Sequence, residues 1–175
     1  MRSGEHPPPD AIVSVGELDF AVWLSERGIR RLELPALDGK QDTRCIGESV
    51  RIDIYEESSH GSMEYLEALG LFLSSTLRGE DPQASPPVDL RGLPPFTGEV
   101  LDVVSEIPRG ESRSYAWVAR SLGRPAASRA VGGAVGRNPV PLLVPCHRVV
   151  RTDGSIGGWS GAPGWKEWLL ENESA

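Results

Sequence analysis

The chain has 175 residues, of which 39% are hydrophobic and 25% are charged, a composition typical of a soluble globular protein with one ordinary domain or two small ones. No segment approaches the roughly 18 consecutive apolar residues of a membrane helix, which excludes an integral membrane protein of the helical type. The start of the sequence, MRSGEHPPPDA, lacks the apolar segment of a secretory signal. We therefore expect a cytoplasmic protein, or a nuclear one if the cell has a nucleus.

The cysteine and histidine content disfavours a metal site. There are two cysteines, Cys45 and Cys146, and three histidines, His6, His60 and His147, with no C-x-x-C pair. A structural zinc site needs three or four convergent ligands. A reducing compartment also disfavours a disulfide. We predict no metal and no cofactor.

The first half of the chain predicts a small α/β domain. Apolar and polar residues alternate in Leu18–Pro35, which predicts two strands joined by a turn at Arg27–Gly28. The segment SVRIDIYEE predicts a third strand, and helical spacing of apolar residues predicts a helix over Met63–Leu77. The segment that follows, RGEDPQASPPVDLRGLPP, has the composition of a connection between domains. We place the boundary near residue 90, giving domains of 1–90 and 91–175.

The second half predicts three helices. Thr97 is a candidate N-cap of a helix that ends at Pro108, and Ser114 is a candidate N-cap of a second helix that Gly123 ends. A third helix is predicted from about Ala127 to Gly136. Two short helices joined by a tight turn indicate a helix-turn-helix, although the pattern is only moderately specific.

Positive charge is concentrated in this half. The chain has a net charge of -7, yet the segment 109–151 holds eight arginines, no lysine and one acidic residue, a balance of +8 - 1 = +7. The remainder holds 10 basic and 24 acidic residues, a balance of 10 - 24 = -14. Such a distribution favours contact with phosphates, whereas the alternative is chance clustering in an arginine-rich chain.

The third helix is almost without side chains, and Arg129 is its one long residue. Glycine in a helix costs about 1 kcal/mol relative to alanine, so Gly132 and Gly133 need a reason. Close packing against another helix is one, and close approach of the backbone to a ligand is the other. A smooth helix fits the minor groove of DNA better than the major groove and reads little sequence.

The segment VPCHRVV leaves three interpretations of Cys146 open: a small core residue, a metal ligand or a nucleophile. Neighbouring residues on an extended strand point to opposite faces, so His147 can act on Cys146 only through a turn or a bridging water. A buried cysteine in an apolar strand is usually inert, whereas a reactive one needs a base or a positive environment.

The segment from Arg129 to Leu170 closely resembles the O6-alkylguanine-DNA alkyltransferases, also called methylated-DNA–protein-cysteine methyltransferases. P-C-H-R-V, the preceding R-A-V-G-G-A and the following K-E-W-L-L occur in the order and spacing of the family, and IPRGESRSYAWVA resembles its helix-turn-helix entrance. The resemblance spans about residues 88–173. It implies a ribonuclease-H-like α/β N-terminal domain and a mainly helical C-terminal domain with a DNA-binding helix-turn-helix.

The resemblance also implies a role for individual residues. Cys146 would accept the alkyl group, His147 would take its proton through a water, and Glu173 would orient the histidine. Asn138 would brace the turn before the active site, and Tyr115 would promote base flipping and protonate the leaving guanine. The implied DNA-contacting residues are Arg129, which would enter the base stack, Ala127, Ala130, Gly132, Ser114 and Tyr115. The implied pocket residues are Pro141, Val149, Trp159, Ser160 and Gly161.

The function implied is direct repair of O6-alkylguanine, and of O4-alkylthymine, in double-stranded DNA by one irreversible transfer per molecule. The protein would be a monomer in solution that can assemble on DNA. Trp159 stands where many relatives have tyrosine, and its larger ring has a donor but no acceptor, so the resemblance does not fix the range of alkyl groups or the sensitivity to bulky guanine inhibitors. The alternatives are a protein that recognises alkylated bases without repairing them, an alkylation-sensing regulator and a cysteine hydrolase.

Overall fold

A computed structural model describes residues 7–37, 49–55, 62–157, 159 and 161–174. Its first part is a four-stranded antiparallel sheet of order β3-β2-β1-β4, followed by one helix. The strands are β1 (Ala11–Val15), β2 (Leu18–Ser25), β3 (Gly28–Glu33) and β4 (Val50–Ile54), and the helix is α1 (Ser62–Leu77). The predicted strands and helix are confirmed, whereas β1 was missed: it is buried on both faces along most of its length, so its residues do not alternate between apolar and polar.

The turn between β2 and β3 lies one residue earlier than predicted, at Glu26–Arg27. Gly28 is instead the first residue of β3, with φ of +142°. A Cβ atom at this position would lie 2.2 Å from the carbonyl oxygen of Pro87, so only glycine fits. The next amide, that of Ile29, donates to the same oxygen at 2.9 Å. This contact joins the connecting segment to the sheet.

The second part is mainly helical. Its helices are α2 (Pro95–Ser105), α3 (Tyr115–Ser121), α4 (Ser128–Val135) and α5 (Trp165–Ser174). A short parallel pair of strands, β5 (Arg113–Ser114) and β6 (Val149–Val150), ties the start of α3 to the segment that follows Cys146. Each predicted helix exists, and a 3₁₀ turn over Pro125–Ala127 precedes α4.

The predicted caps have different outcomes. Ser114 is confirmed as the N-cap of α3, since its hydroxyl accepts from the Trp117 amide at 3.1 Å. Thr97 as a cap is wrong: α2 begins at Pro95, and the buried Thr97 hydroxyl accepts from Arg137 instead. Proline at the first helical position needs no amide partner, so the helix starts three residues earlier than a cap at Thr97 would allow. The helix also ends at Ser105, before Pro108.

The two parts share one apolar core. Phe20 of β2 lies against Trp165 of α5 with ring centroids 5.9 Å apart, and the Trp165 indole donates to the carbonyl of Pro35 at 2.7 Å. The Leu32 amide of β3 donates to the carbonyl of Pro139 at 2.9 Å. The sheet therefore supports the loop that leads to Cys146. No helix among the described residues is long and apolar enough to cross a membrane.

Candidate active site

Cys146 begins a 3₁₀ turn, Cys146–Arg148, between Pro145 and β6. Both Cys146 and His147 are 2% exposed. The sequence analysis required either a turn or a bridging water for His147 to act on Cys146. The turn is present, so the two side chains no longer alternate across a strand. Within the interior, Cys146 lines one cavity and His147 lines a separate one.

A strained bend leads into this turn. Leu142 has φ of +72°, a left-handed conformation that leaves a leucine side chain strained by about 1–2 kcal/mol. Asn138 holds the bend at both ends: its side-chain amide donates to the carbonyl of Val144 at 2.9 Å, and its oxygen accepts from the amide of Val140 at 3.1 Å. These bonds lie where the resemblance places a bracing role for Asn138.

Glu173 is the centre of a buried charge cluster. Its Oε1 lies 2.9 Å from His147 Nε2 and 2.8 Å from Arg148 Nη2, and its Oε2 accepts from Arg148 Nε at 2.9 Å. Arg109 lies 3.7 Å away, and the amide of Gly110 donates to Oε2 at 3.3 Å. Although burial opposes ionisation, the bonds from His147 and Arg148 hold the pKa of the Glu173 carboxyl well below its usual range. The carboxylate is therefore ionised.

The imidazole is neutral at physiological pH. Burial, assisted by the charges of Arg148 and Lys166, lowers the pKa of His147 despite the bond to Glu173. A carboxylate only accepts, so Nε2 carries the proton and Nδ1 holds the basic lone pair. Nδ1 is buried and has no hydrogen-bond partner among the described residues.

Three groups favour the ionised form of the buried sulfur. The Trp159 indole N–H donates to Cys146 Sγ at 3.3 Å, and the side chain of Asn138 and the charge of Lys166 act in the same direction. Burial is nevertheless the larger effect and raises the pKa of the Cys146 thiol. The sulfur of the free protein is a thiol that needs a base to become a nucleophile.

A cavity of about 420 Å³ lies beside the sulfur. Pro141, Trp159 and Gly161 line it as the resemblance implied, together with Asn138 and residues 31–34 of β3. Val149 is not among the described lining residues, but it is buried and its carbonyl accepts from Lys166 Nζ at 2.7 Å. Ser160 lies outside the described residues.

Tyr115 lies at the start of α3, beside β6, because β5 pairs with β6 directly before it. Burial, together with the nearby thiol, raises the pKa of Tyr115, so its phenol stays protonated and can donate. The ring also lines an open groove of about 590 Å³ with Ser128, Arg129, Gly132 and Arg151. This groove and the cavity at Cys146 share none of the lining residues that the structure describes.

The glycines of α4 are not explained by internal packing. A Cβ at Gly132 would come no closer than 3.9 Å to Tyr115, and one at Gly133 no closer than 3.7 Å to Arg137. Both are ordinary contacts. Arg129 and Ala130 are exposed on the same helix, and Ala127 is half-buried in the 3₁₀ turn before it. Of the two explanations for a smooth helix, close approach of an external ligand is the one the packing favours.

The arginine-rich segment serves two purposes. Arg109 and Arg148 bind Glu173 in the interior, Arg113 pairs with Glu111, and Arg124 pairs with Glu99 at 2.8 Å. Arg129 and Arg151 line the groove instead. The charge count therefore overestimates the number of arginines that face a ligand.

Two functional residues were missed from the sequence. Lys166 is 1% exposed, with Nζ 5.9 Å from the Tyr115 ring centroid, and burial lowers its pKa. Arg148 also donates to the carbonyl of Ile107 at 2.6 Å. Two signals were available in the sequence. Lys166 is one of only two lysines in the chain, and each residue lies inside a family motif, Arg148 in P-C-H-R-V and Lys166 in K-E-W-L-L.

Comparisons with known proteins identify the family of the chain. Residues 95–175 match the family described as 6-O-methylguanine DNA methyltransferase, DNA binding domain. The crystal structure of Mycobacterium tuberculosis OGT in complex with DNA is 30% identical with a TM-score of 0.63, covering 90% of this chain and 86% of that one. The chain belongs to the O6-methylguanine-DNA methyltransferase family. Another structure of this family, from Pyrococcus kodakaraensis, is 27% identical with a TM-score of 0.62, covering 93% of this chain and 99% of that one.

Two curated members of the O6-methylguanine-DNA methyltransferase family each match just under half of this chain. Methylated-DNA–protein-cysteine methyltransferase from Salmonella typhimurium is 46% identical over 82 residues, which are 47% of this chain and 48% of that protein. The human protein of the same name is 49% identical over 79 residues, 45% of this chain and 38% of that one. The match thus spans about half the length of these relatives or less. The N-terminal sheet is related to the family by structure.

Proposed function

We propose that this protein repairs O6-alkylguanine, and O4-alkylthymine, in double-stranded DNA by a single irreversible transfer of the alkyl group to Cys146. The observation that carries the proposal is the placement of the Cys146 sulfur at a cavity, in the same turn as a neutral histidine that is bonded to an ionised glutamate. The names of the curated relatives describe this transfer to a protein cysteine, and one structural relative was crystallised with DNA.

The chemistry requires the base to leave the duplex, at a cost of a few kcal/mol. His147 Nδ1, with Nε2–H held by Glu173, is the base that accepts the thiol proton through a water. The thiolate then attacks the alkyl carbon, a bond forms between sulfur and carbon, and the bond between carbon and O6 breaks. The electron pair goes to the guanine, which Tyr115 protonates so that it leaves as a neutral base. The S-alkylcysteine is a stable thioether, so each molecule acts once.

DNA binds, in this proposal, across the groove beside α3 and α4, which form a helix-turn-helix. Arg129 enters the base stack in place of the extruded nucleotide, and the small residues Ala127, Ala130 and Gly132 let the α4 backbone approach the minor groove. Ser114 and Tyr115, at the start of α3, contact the backbone. Because the groove and the cavity at Cys146 have separate linings, side chains between them must move as the base enters.

Several further features belong to the same proposal. The N-terminal domain, residues 1–90, is ribonuclease-H-like and supports residues 91–175, which carry the site; the four-stranded sheet with its packed helix supports this relationship. The protein needs no cofactor, is a monomer in solution that can assemble on DNA, and acts in the cytoplasm, or in the nucleus of a eukaryotic cell.

The decisive experiment is the intact mass of the protein after incubation with an oligonucleotide that carries O6-methylguanine. We expect a mass increase of one methyl group in place of a hydrogen, on Cys146, with one transfer per molecule. Cys146→Ser abolishes the transfer and the control Cys45→Ser retains it. Binding without a mass change would instead identify a non-catalytic recognition protein, and repeated turnover or full activity in Cys146→Ser would overturn the proposal.

A further inference from the structure

The indole of Trp159 contacts the reacting atom. Its N–H donates to Cys146 Sγ at 3.3 Å, within the range of a hydrogen bond to sulfur. Sγ has few other donors, since the cysteine is 2% exposed and its surroundings include Val144, Val149 and other apolar core residues. An indole N–H can donate but never accept, so this contact always favours a sulfur with more negative charge.

Gly161 leaves the space that the Trp159 ring occupies. A Cβ atom at Gly161 would lie 2.8 Å from the edge of the Trp159 ring, a distance that side chains do not tolerate. Any side chain at position 161 would therefore displace the indole. The ring also packs against the core, so the N–H direction is set by contacts on more than one side.

We propose that Trp159 is a catalytic hydrogen-bond donor, whose indole N–H stabilises the thiolate of Cys146 from which alkyl transfer proceeds. This inference deepens the proposed function and rests on it for the identity of the reaction. When the sulfur becomes an anion, the bond becomes charge-assisted and strengthens. When the sulfur becomes a thioether, its charge is lost and the bond weakens. The indole therefore stabilises the reactive state more than the thiol before it or the product after it.

Other charged and titratable groups surround the sulfur and remain in place when only Trp159 is changed. They come from each element packed around it: His147 in the same turn, Tyr115 of α3, Lys166 of α5, Arg137 after α4, and Arg31 and Glu33 of β3. A difference between the natural protein and a Trp159 variant consequently reports the indole itself.

The test compares Trp159→Phe with the natural protein, both in a Cys45→Ser background so that Cys146 is the one thiol. Phenylalanine keeps an aromatic ring and removes the donor. A hydrogen bond to a charged group contributes about 1.5–3 kcal/mol, so we expect the rate of Cys146 alkylation by iodoacetamide at pH 7 to fall roughly ten-fold or more, with the pH profile displaced upward. Methyl transfer from O6-methylguanine DNA falls in parallel, whereas DNA affinity is unchanged.

The matched control is Trp168→Phe, the same exchange at a ring whose centroid lies 5.8 Å from that of Trp165. It leaves both rates and the pH profile unchanged. An unaltered pH profile in a folded Trp159→Phe protein overturns the inference. If iodoacetamide reports the displacement but no methyl transfer occurs in the natural protein, the donor role stands and the proposed function fails.

A second measurement avoids any variant that folds poorly. In natural protein labelled with ¹⁵N at the indole nitrogens, we expect the Trp159 N–H resonance to move downfield as Cys146 ionises and to move back when the sulfur is methylated. If the chemical shift of the Trp159 indole N–H changes neither on ionisation nor on methylation of Cys146, the contact has no role in the chemistry.

Discussion

The N-terminal sheet and the C-terminal helices differ in how deeply their ion pairs are buried and in where the backbone is strained. The side chains of the ion pairs Arg31–Glu33 and Arg78–Glu80, near the sheet, are between 32% and 55% exposed. In the C-terminal half, Glu173 is 3% exposed and binds His147 and Arg148. The left-handed Leu142 lies here as well.

This difference shows that the C-terminal half, which carries the candidate active site, contains groups that lower its local stability. A sheet with an apolar interior can be optimised for packing alone. A buried carboxylate, a buried lysine and a strained leucine are unfavourable by themselves and persist because neighbouring groups hold them. The sheet supplies part of that support through Leu32, which donates to the carbonyl of Pro139, and through Phe20 against Trp165. Variants in the two halves should therefore separate stability from repair.

The largest effect is expected for Glu173→Gln. The amide leaves Arg109 and Arg148, which are largely buried, without a full counter-charge. Breaking a buried ion pair costs about 3–5 kcal/mol of unfolding free energy. Repair should fall as well, because the amide keeps one acceptor oxygen where the carboxylate has two, so His147 and Arg148 compete for it and the ring is oriented less well. Urea unfolding and single-turnover methyl transfer measure the two effects. Glu167→Gln, on the exposed face of the same helix, is the control and should change neither.

Leu73→Ala should destabilise the N-terminal half without altering the chemistry. Leu73 is fully buried on α1, and removing such a side chain costs about 2–5 kcal/mol. The rate of transfer per folded molecule stays the same at temperatures below the unfolding transition. Leu71→Ala, at a residue that is 70% exposed, should have little effect on unfolding. A reduced rate in folded Leu73→Ala would mean that the sheet takes part in the reaction.

Arg129→Ala should weaken repair much more than it weakens binding. The side chain lines the groove, and we expect a loss of roughly ten-fold or more in transfer rate, about 1.4 kcal/mol, because the vacated base stack is no longer filled. The dependence of DNA affinity on salt should change by at most one phosphate contact. Arg120→Ala, an exposed arginine of α3, serves as the control. A collapse of the salt dependence with normal base flipping would contradict the assigned role.

The smallest effect is expected for Gly132→Ala, and the sign of the change in stability is opposite to that of the change in DNA affinity. The position has room for a Cβ, so alanine should stabilise the helix by up to about 1 kcal/mol. DNA binding should nevertheless weaken if the backbone approaches the minor groove. Gly98→Ala in α2, where a Cβ meets nothing within 4 Å, should stabilise the protein and leave DNA binding intact. Equal DNA affinities for the two variants would remove α4 from the interface.

Local signals in the sequence were sufficient for most elements. Helical spacing placed α1, the hydroxyl of Ser114 placed the start of α3, and Gly123, with φ of +70°, placed its end. The same reasoning failed at Thr97, because its hydroxyl bonds to Arg137, 40 residues away, and no local pattern reveals that partner. It also missed Lys166, since a lysine within a helix is ordinarily exposed.

The sequence by itself determined the helices, three of the four strands of the sheet, the family and the candidate residues Cys146, His147 and Glu173, because each depends on spacing or on a compact motif. Only the tertiary structure decided that Glu173 meets Arg148, that Trp159 donates to the sulfur and that the glycines of α4 have space around them. The physical reason is that hydrogen-bond partners, burial and free volume depend on segments far apart in the chain. Those quantities set the charge state of the sulfur, and they exist only once the chain has folded.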